Sequence, residues 1–179
     1  MTEPAPAVLS WYCDNRGLQV AIFLIWYTVF HFAYFSIPDL VFREILYYRG
    51  LGSVCSELIH WLAPLEGVSA VHNHVLSPRA DLEIVRGCDG AGALFLIVAA
   101  ILAFPANFKR KLLGLGVGVL LMYGLNLGRI VGLYFIIAYQ RDWFDLVHTY
   151  LAPTLIIVLA CLYFAWWAFG SSASNHVPP

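Results

Sequence analysis

The sequence predicts an all-α polytopic membrane protein, and three observations lead to that class. Hydrophobic residues make up 61% of the 179 residues and charged residues 12%, whereas average soluble domains have about 45–50% and about 25%. The mean hydropathy is +0.76. The apolar residues also form runs close to the ~20 residues that a helix needs to cross a bilayer. We expect about four transmembrane helices, one interfacial amphipathic helix and a short extracytoplasmic segment, within one integral-membrane domain of residues 1–179.

The first transmembrane helix is predicted at residues 18–37, where an apolar run ends before Pro38. Arg16 precedes the run, and no small-x-small cleavage site follows it. We therefore expect a retained signal anchor rather than a cleaved signal peptide, with residues 1–17 as a cytoplasmic tail.

Residues 40–63 are predicted to form a helix that lies in the plane of the membrane interface. At about 100° per residue, residues 49–62 separate into a polar and an apolar face, which is typical of interfacial helices. The polar face holds Arg49, Ser53, Ser56, Glu57 and His60, and the apolar face holds Leu51, Val54, Leu58, Trp61 and Leu62. Cys55 lies beside the apolar face, and we expect it to be a packing residue.

The rest of the chain predicts one polar segment and three further spans. Residues 64–87 are expected in the periplasm, with a turn at "SPRAD" and a short extended stretch at "DLEIV". The spans are predicted at 88–104, 112–138 and 147–169, and residues 170–179 are predicted to be a disordered tail. In the second of these spans Gly124, Gly128 and Gly132 form a GxxxGxxxG pattern, which permits close helix packing and would permit a dimer.

Basic residues indicate the orientation of these spans. Lys109, Arg110 and Lys111 crowd the shortest connection, and such a cluster favours the cytoplasmic side. The number of spans agrees with this choice, although basic residues in the loops and tails number four inside and five outside. The opposite ends of the helices, including Cys88, are then expected to face the periplasm of a bacterial inner membrane.

Composition also argues against several kinds of partner. The net charge is −1 and there is no basic tail, so we expect no nucleic-acid binding. The four cysteines show neither CxxC nor zinc-like spacing, which leaves a disulfide framework unsupported. His72 and His74 form an HxH pattern that could bind a metal with His60 or Glu66, but solvated loop histidines are the favoured interpretation. We expect no metal and no cofactor.

Three polar residues are predicted to meet at one depth in the membrane. Cys88 and Arg129 each lie 17 residues from the basic connection, which places both about 25 Å from the cytoplasmic boundary at 1.5 Å per residue. His148 begins the last span, 22 residues before Gly170, so it lies about 33 Å up in a straight helix. A tilt of that helix, or a short dip of the preceding loop, would bring the imidazole level with Cys88 and Arg129.

Arg129 is a charge inside a predicted span, and such charges usually face a polar cavity and mark function. Two alternatives stay open: the side chain extends outward to the interface, or it pairs with Asp89 or Asp145. Asn126 lies three residues earlier on much of the same face. It is a candidate to orient the guanidinium or a substrate carbonyl.

Cys88 is a candidate nucleophile. Thiol chemistry needs the thiolate, and a cation or a helix N-terminus lowers a thiol pKa; Arg129 and the start of a helix are both predicted beside Cys88. Gly87 and Gly90 permit an unusual backbone and close substrate approach, and His148 is a candidate general base and acid. Inert packing is the alternative, while lipid attachment is disfavoured because no lipobox-like context precedes the cysteine.

At these residues the sequence resembles the exosortase/archaeosortase family of membrane transpeptidases. The resemblance covers residues 18–169 and is densest in "VRGCDG", "NLGRIVGLYF" and "FDLVHTY", and it is closest to the exosortase H variant. It implies Cys88 as the nucleophile, with Arg129 and His148 as the other essential residues. Asp89 is a departure, because many relatives have serine or alanine there. Its role stays open: it could tune Cys88 or Arg129, or bind substrate.

The resemblance also implies a reaction and its partners. Relatives are thought to cleave a C-terminal sorting signal of the PEP-CTERM kind, which has a short motif, a membrane helix and a basic cluster. The expected activity is that of a cysteine transpeptidase or protease acting on exported proteins at the outer face of the bilayer through a thioester acyl-enzyme. An exopolysaccharide or another envelope component is the candidate acceptor.

Two other functions compete with this one. The first is a non-enzymatic membrane helper that binds tail helices or assists exopolysaccharide export, with Arg129 as a docking charge. The second is a small transporter in which Arg129 gates an anion, but four spans with one intramembrane charge make a poor pathway.

Overall fold

The computed structural model describes residues 15–170, which fold into five helices, a short 3-10 helix at Pro64–Glu66 and a small antiparallel sheet. The predicted tails at 1–17 and 170–179 lie almost wholly outside these residues. Helix α1 is Arg16–Ser36, α3 is Ala91–Ala103 and α4 is Phe108–Tyr139. Helix α2 runs without a break through Asp39–Val41, a π-helical stretch Phe42–Gly52 and Ser53–Leu62. Helix α5 runs through Arg141–Trp143, Phe144–Leu146, a π-helical turn Val147–Leu151 and Ala152–Phe169. The strands are β1 Ser69–Val71, β2 His74–Leu76 and β3 Asp81–Glu83.

The structure confirms the predicted helical membrane fold. Within residues 15–170, α1, α4 and α5 are long and apolar enough to cross a membrane. The fourth apolar segment is shorter, because α3 has 13 residues and is therefore only about 20 Å long, against a hydrocarbon core of about 30 Å. The predicted span 88–104 thus contains a short helix, and Cys88 lies in the turn that precedes it.

Helix α4, with 32 residues, joins two clusters of buried side chains. Its first half packs against α3 and α5 around Ile97, Ile101 and Tyr163. Its second half packs against α2 and the sheet, where Tyr134 is fully buried. One helix therefore links the membrane bundle to the polar segment that precedes α3.

Helix α2 has two different apolar sides. Leu51, Cys55 and Ile59 are buried toward the rest of the protein, which confirms Cys55 as a packing residue. Trp61 and Leu62 instead point outward, with Trp61 79% exposed. An exposed apolar side of this kind suits contact with lipid, and the interfacial placement of the helix stays a prediction.

The polar segment before α3 forms a three-stranded antiparallel sheet in the order β1-β2-β3. The extended stretch predicted at "DLEIV" is β3, paired with β2. The predicted turn is also present, since the N–H of Ser77 donates to the carbonyl of Ala80 at 2.8 Å. Buried Glu66 ties this segment to α4, because its carboxylate accepts hydrogen bonds from Tyr134 at 3.1 Å and from Tyr139.

The glycines that allow close packing of α4 are not those of the GxxxGxxxG pattern. Within the described residues, nothing lies within 4 Å of a Cβ added at Gly124, Gly128 or Gly132. A Cβ at Gly114 would instead lie 2.3 Å from Nε1 of Trp167, and Gly118 packs against Tyr163. Within the described residues α5 therefore meets a different face of α4, which the pattern could not indicate, because its spacing does not show which face a partner helix contacts.

Candidate functional site

Cys88 lies in a glycine-bounded turn that leads into α3. Gly87 has a φ of 94° and Gly90 a φ of 76°, values that L-residues with side chains rarely adopt. The N–H of Cys88 donates to the carbonyl of Val85 at 3.0 Å. This backbone path explains the two glycines and presents the half-buried thiol at the end of the bundle where α3 begins.

The structure brings Cys88, Arg129 and His148 together. Sγ of Cys88 lies 3.5 Å from Nε2 and 3.7 Å from Nδ1 of His148. Nη2 of Arg129 lies 3.9 Å from the same sulfur and donates to the backbone carbonyl of His148 at 3.3 Å. The thiol, the guanidinium and the imidazole therefore lie within contact distance of one another.

Arg129 has no carboxylate partner in the described part of the chain, where the ion pairs within 4 Å involve other residues. The alternative that it pairs with Asp89 or Asp145 is not the arrangement in the structure. Its Nε is buried without a hydrogen-bond partner. A half-buried cation with unused donors is suited to a negative charge that forms next to it.

The electrostatics of Cys88 differ from the expectation of a lowered pKa. Burial raises the pKa of the Cys88 thiol, Arg129 lowers it in part, and Asp89 raises it further. Without substrate, the protonated thiol is therefore the favoured form at neutral pH. A nucleophilic sulfur then needs a base that takes its proton, and His148 is within reach of Sγ.

His148 is held by the irregular start of α5. It lies in the π-helical turn Val147–Leu151, five residues before Pro153, which has no N–H for the normal hydrogen-bond pattern. The imidazole stacks on the ring of Phe144, with centroids 5.1 Å apart and planes at 15°. A π-helical turn frequently marks a functional site, and here it directs the imidazole toward Cys88.

Asn126 does not hydrogen-bond to Arg129. It is 2% exposed, and neither its side-chain oxygen nor its nitrogen has a partner in the structure. It lies under the turn before α3, where a Cβ added at Gly90 would be 2.8 Å from its Cγ. The unpaired, buried oxygen and nitrogen of the Asn126 side chain are therefore suited to hydrogen-bond a bound polar group near Cys88, Arg129 and His148.

The carboxylate of Asp89 binds groups other than Cys88, Arg129 and His148. Its Oδ2 accepts hydrogen bonds from the hydroxyls of Tyr34 and, at 3.3 Å, of Tyr47, and its Oδ1 accepts from the N–H of Ala91 at 3.2 Å. No sequence pattern pointed to Tyr34 or Tyr47, because they lie 55 and 42 positions from Asp89 and only the fold brings them to it.

Two apolar pockets lie along α3, between α1 and α5, and Leu96 lines both. The pocket that includes Arg129 has a volume of about 240 Å³, and the second pocket, farther from Cys88, has a volume of about 520 Å³. Small residues of α3 form much of the wall: Gly92, Ala93, Ala100 and Ala103. Such a surface allows another helix to approach closely.

The histidines of the HxH pattern pair with carboxylates on the surface. Nδ1 of His72 lies 2.6 Å from Oε1 of Glu44, and Nδ1 of His74 lies 2.8 Å from Oδ1 of Asp81. His60 is exposed on α2. Among residues 15–170, no group of three or more histidine, cysteine, aspartate or glutamate side chains is arranged to hold a metal ion.

Comparison with known proteins identifies the family. The family model described as "Transmembrane exosortase (Exosortase_EpsH)" matches residues 5–167, which is most of the chain. Neither the curated proteins nor the solved structures contain a significant match. The matched region includes the spanning helices, the turn with Cys88 and the positions of Arg129 and His148. The chain therefore belongs to the transmembrane exosortase family.

Proposed function

We propose that this multi-pass membrane protein is a cysteine transpeptidase or protease whose nucleophile is Cys88. Family membership supports a membrane transpeptidase-type role. The observation that carries the specific assignment is the 3.5 Å separation between Sγ of Cys88 and Nε2 of His148, with Arg129 next to both. Nucleophile, base and cation at such distances are the arrangement that acyl transfer needs.

The proposed chemistry follows from the three side chains. Cys88 gives its proton to His148, and the sulfur attacks a backbone carbonyl, so that a C–S bond forms and the carbonyl oxygen becomes negative. Arg129 stabilises this oxyanion. His148 returns the proton to the leaving amine as the C–N bond breaks, which leaves a thioester. An acceptor amine or water then attacks the thioester and regenerates the thiol.

The substrate class of the proposal is an exported protein with a PEP-CTERM-like C-terminal tail. The two apolar pockets along α3 support it, because an apolar tail helix could lie over them between α1 and α5 and present its preceding motif to Cys88. The bilayer would hold both partners, and an exopolysaccharide or other envelope component would be the acceptor.

The proposed orientation places Cys88 at the periplasmic face of the inner membrane. Lys109, Arg110 and Lys111 lie at the start of α4, far from Arg129 on the same helix. Arg110 donates to the carbonyl of Ala168 at 3.1 Å, and Lys111 donates to that of Leu102 at 2.7 Å. The cluster thus lies where α3 and α5 end, at the opposite end of the bundle from Cys88, and the positive-inside rule favours the cytoplasm for that end.

The test is processing of a membrane-anchored substrate with its sorting tail, co-expressed with the protein. We expect Cys88→Ala to abolish cleavage, and Arg129→Ala and His148→Ala to reduce it by about 10²-fold or more. Cys161→Ala is the matched control, because Cys161 is an exposed cysteine of α5. We expect this variant to cleave the substrate as well as the parent protein does. Membrane levels of each variant are measured by immunoblot.

The same experiment separates the enzyme from a non-enzymatic helper. A helper needs no thiol, so cleavage that persists undiminished in Cys88→Ala would reject the proposal and favour the helper. A thioester between Cys88 and the substrate, trapped by acid quenching and released by hydroxylamine, would identify the nucleophile directly.

A further inference from the structure

The turn that carries Cys88 is attached at both of its ends to the corner between α1 and α2. Arg86 lies at the start of this turn and Asp89 directly follows the cysteine. Their side chains carry opposite charges and reach the same corner. Loop residues are usually more mobile than the elements they connect, so these attachments have consequences for the position of the sulfur.

Arg86 binds the end of α1. Its Nη2 donates to the carbonyl of Ile37 and to Oδ1 of Asp39, both at 2.7 Å. Its guanidinium also lies over the ring of Phe42, 4.3 Å from the centroid. Cations at the C-terminal end of a helix satisfy carbonyls that have no partner in the helix.

Asp89 makes the second attachment, which is largely buried. Tyr34 and Tyr47, which are 8% and 3% exposed, both donate to its Oδ2, and their hydroxyls lie 3.4 Å apart. Its Oδ1 accepts from the first N–H of α3. One carboxylate therefore joins α1, α2 and the start of α3, and both of its oxygens are occupied by these groups.

We propose that Asp89, together with Tyr34 and Tyr47, is a positioning group that holds the Cys88 turn against the α1–α2 corner. We call these three residues the carboxylate clamp. Because Cys88 directly precedes Asp89, the clamp fixes Sγ of Cys88 beside His148 and Arg129. This inference deepens the proposed function and rests on Cys88 as its nucleophile.

The geometry distinguishes positioning from other roles of Asp89. The hydrogen bonds of its carboxylate go to Tyr34, Tyr47 and Ala91 rather than to Arg129 or His148. Its charge also raises the pKa of Cys88, whereas a residue that activates a thiol would lower that pKa. Asp89 is therefore placed to hold the turn and not to activate the sulfur.

The test measures the alkylation rate of Cys88 by N-ethylmaleimide from pH 6 to pH 10 in proteoliposomes, by mass spectrometry. The background carries Cys13→Ser and Cys161→Ser, and fully buried Cys55 reports unfolding if it becomes labelled. We expect Asp89→Asn to react about three- to tenfold faster at pH 8, because the thiol becomes more exposed and loses a neighbouring negative charge. Tyr34→Phe should also speed the alkylation of Cys88. The double variant Asp89→Asn/Tyr34→Phe should react no faster than Asp89→Asn alone, because both changes remove the same attachment.

Tyr134→Phe is the matched control, because it removes a buried tyrosine–carboxylate hydrogen bond to Glu66 elsewhere in the fold. We expect Cys88 in this variant to be alkylated at the same rate as in the parent protein. An Asp89→Asn rate equal to this control, or slower than the parent, would overturn the proposal. Labelling of Cys55 in parallel with Cys88 would also overturn it, since the clamp would then only stabilise the whole fold. The assay needs no sorting tail, so its outcome is independent of the processing experiment.

Discussion

At the scale of single residues, the structure gives the sequence motifs around Cys88 a physical reason. Gly87 and Gly90 both have positive φ, but only Gly90 also lacks room for a side chain, because Asn126 packs against it. The spacing of the sequence predicts that Cys88, Arg129 and His148 lie at one depth. It does not predict that burial outweighs Arg129 and raises the pKa of the thiol.

We expect Gly90→Ala to lower stability more than Gly87→Ala. Both changes carry the cost of positive φ, about 1–2 kcal/mol, but a Cβ at Gly90 also lies 2.8 Å from Cγ of Asn126, while nothing lies within 4 Å at Gly87. Thermal unfolding in detergent micelles measures the difference. Adding Asn126→Ala should recover part of the loss in Gly90→Ala, and equal losses for the two glycine variants would contradict the steric argument.

At the scale of elements, α4 and its partners show how the basic cluster contributes to the fold as well as to orientation. Arg110 lies over the ring of Trp167, 4.9 Å from its centroid, and Lys111 donates to the last turn of α3. Cations at these C-terminal carbonyls complement the helix dipoles. Trp167, held in this way, packs on Gly114, so the small residue and the cation together fix where α5 meets α4.

Gly114→Ala should destabilise the bundle, whereas Gly124→Ala should leave its unfolding temperature nearly unchanged. The added methyl group at position 114 would meet the Trp167 ring, and such overpacking costs about 1–3 kcal/mol. At position 124 it meets open space in the described residues. Unfolding of the two variants in the same detergent provides the comparison, and a larger loss for Gly124→Ala would show that its face is packed against another molecule.

At the scale of the whole molecule, the polar segment and the bundle are joined through Glu66. Its side chain is 4% exposed, and its carboxylate accepts hydrogen bonds from Arg79 at 2.8 Å and from Tyr134 and Tyr139. The hydrogen bond from Tyr139, with Tyr134 and Arg79, lowers the pKa of Glu66 despite the opposing effect of burial. This attachment keeps the sheet beside the end of α4, near the turn that carries Cys88.

The lowered pKa of Glu66 predicts a pH dependence of stability with a defined sign. A carboxyl with a folded pKa below its unfolded value, about 4.3, stabilises the fold above that value, and this contribution is lost as pH falls through the folded pKa. We expect Glu66→Gln to unfold at a lower temperature near pH 7 and to show a shallower decline toward pH 3. Glu57→Gln, at an exposed position of α2, is the control and should follow the parent curve. Parallel curves for Glu66→Gln and the parent would contradict the linkage.

The sequence by itself determined the class of the protein and its family, and it singled out the three side chains that we propose to react. Hydropathy fixes spanning helices because the bilayer requires long apolar segments, and the motifs around Cys88, Arg129 and His148 are contiguous in the chain. The tertiary structure decided what depends on contacts between distant residues: the tyrosines that bind Asp89, the glycine face that meets α5, and the sign of the Cys88 pKa shift. These properties come from burial and from pairs far apart in sequence, and helical periodicity carries no information about which faces meet.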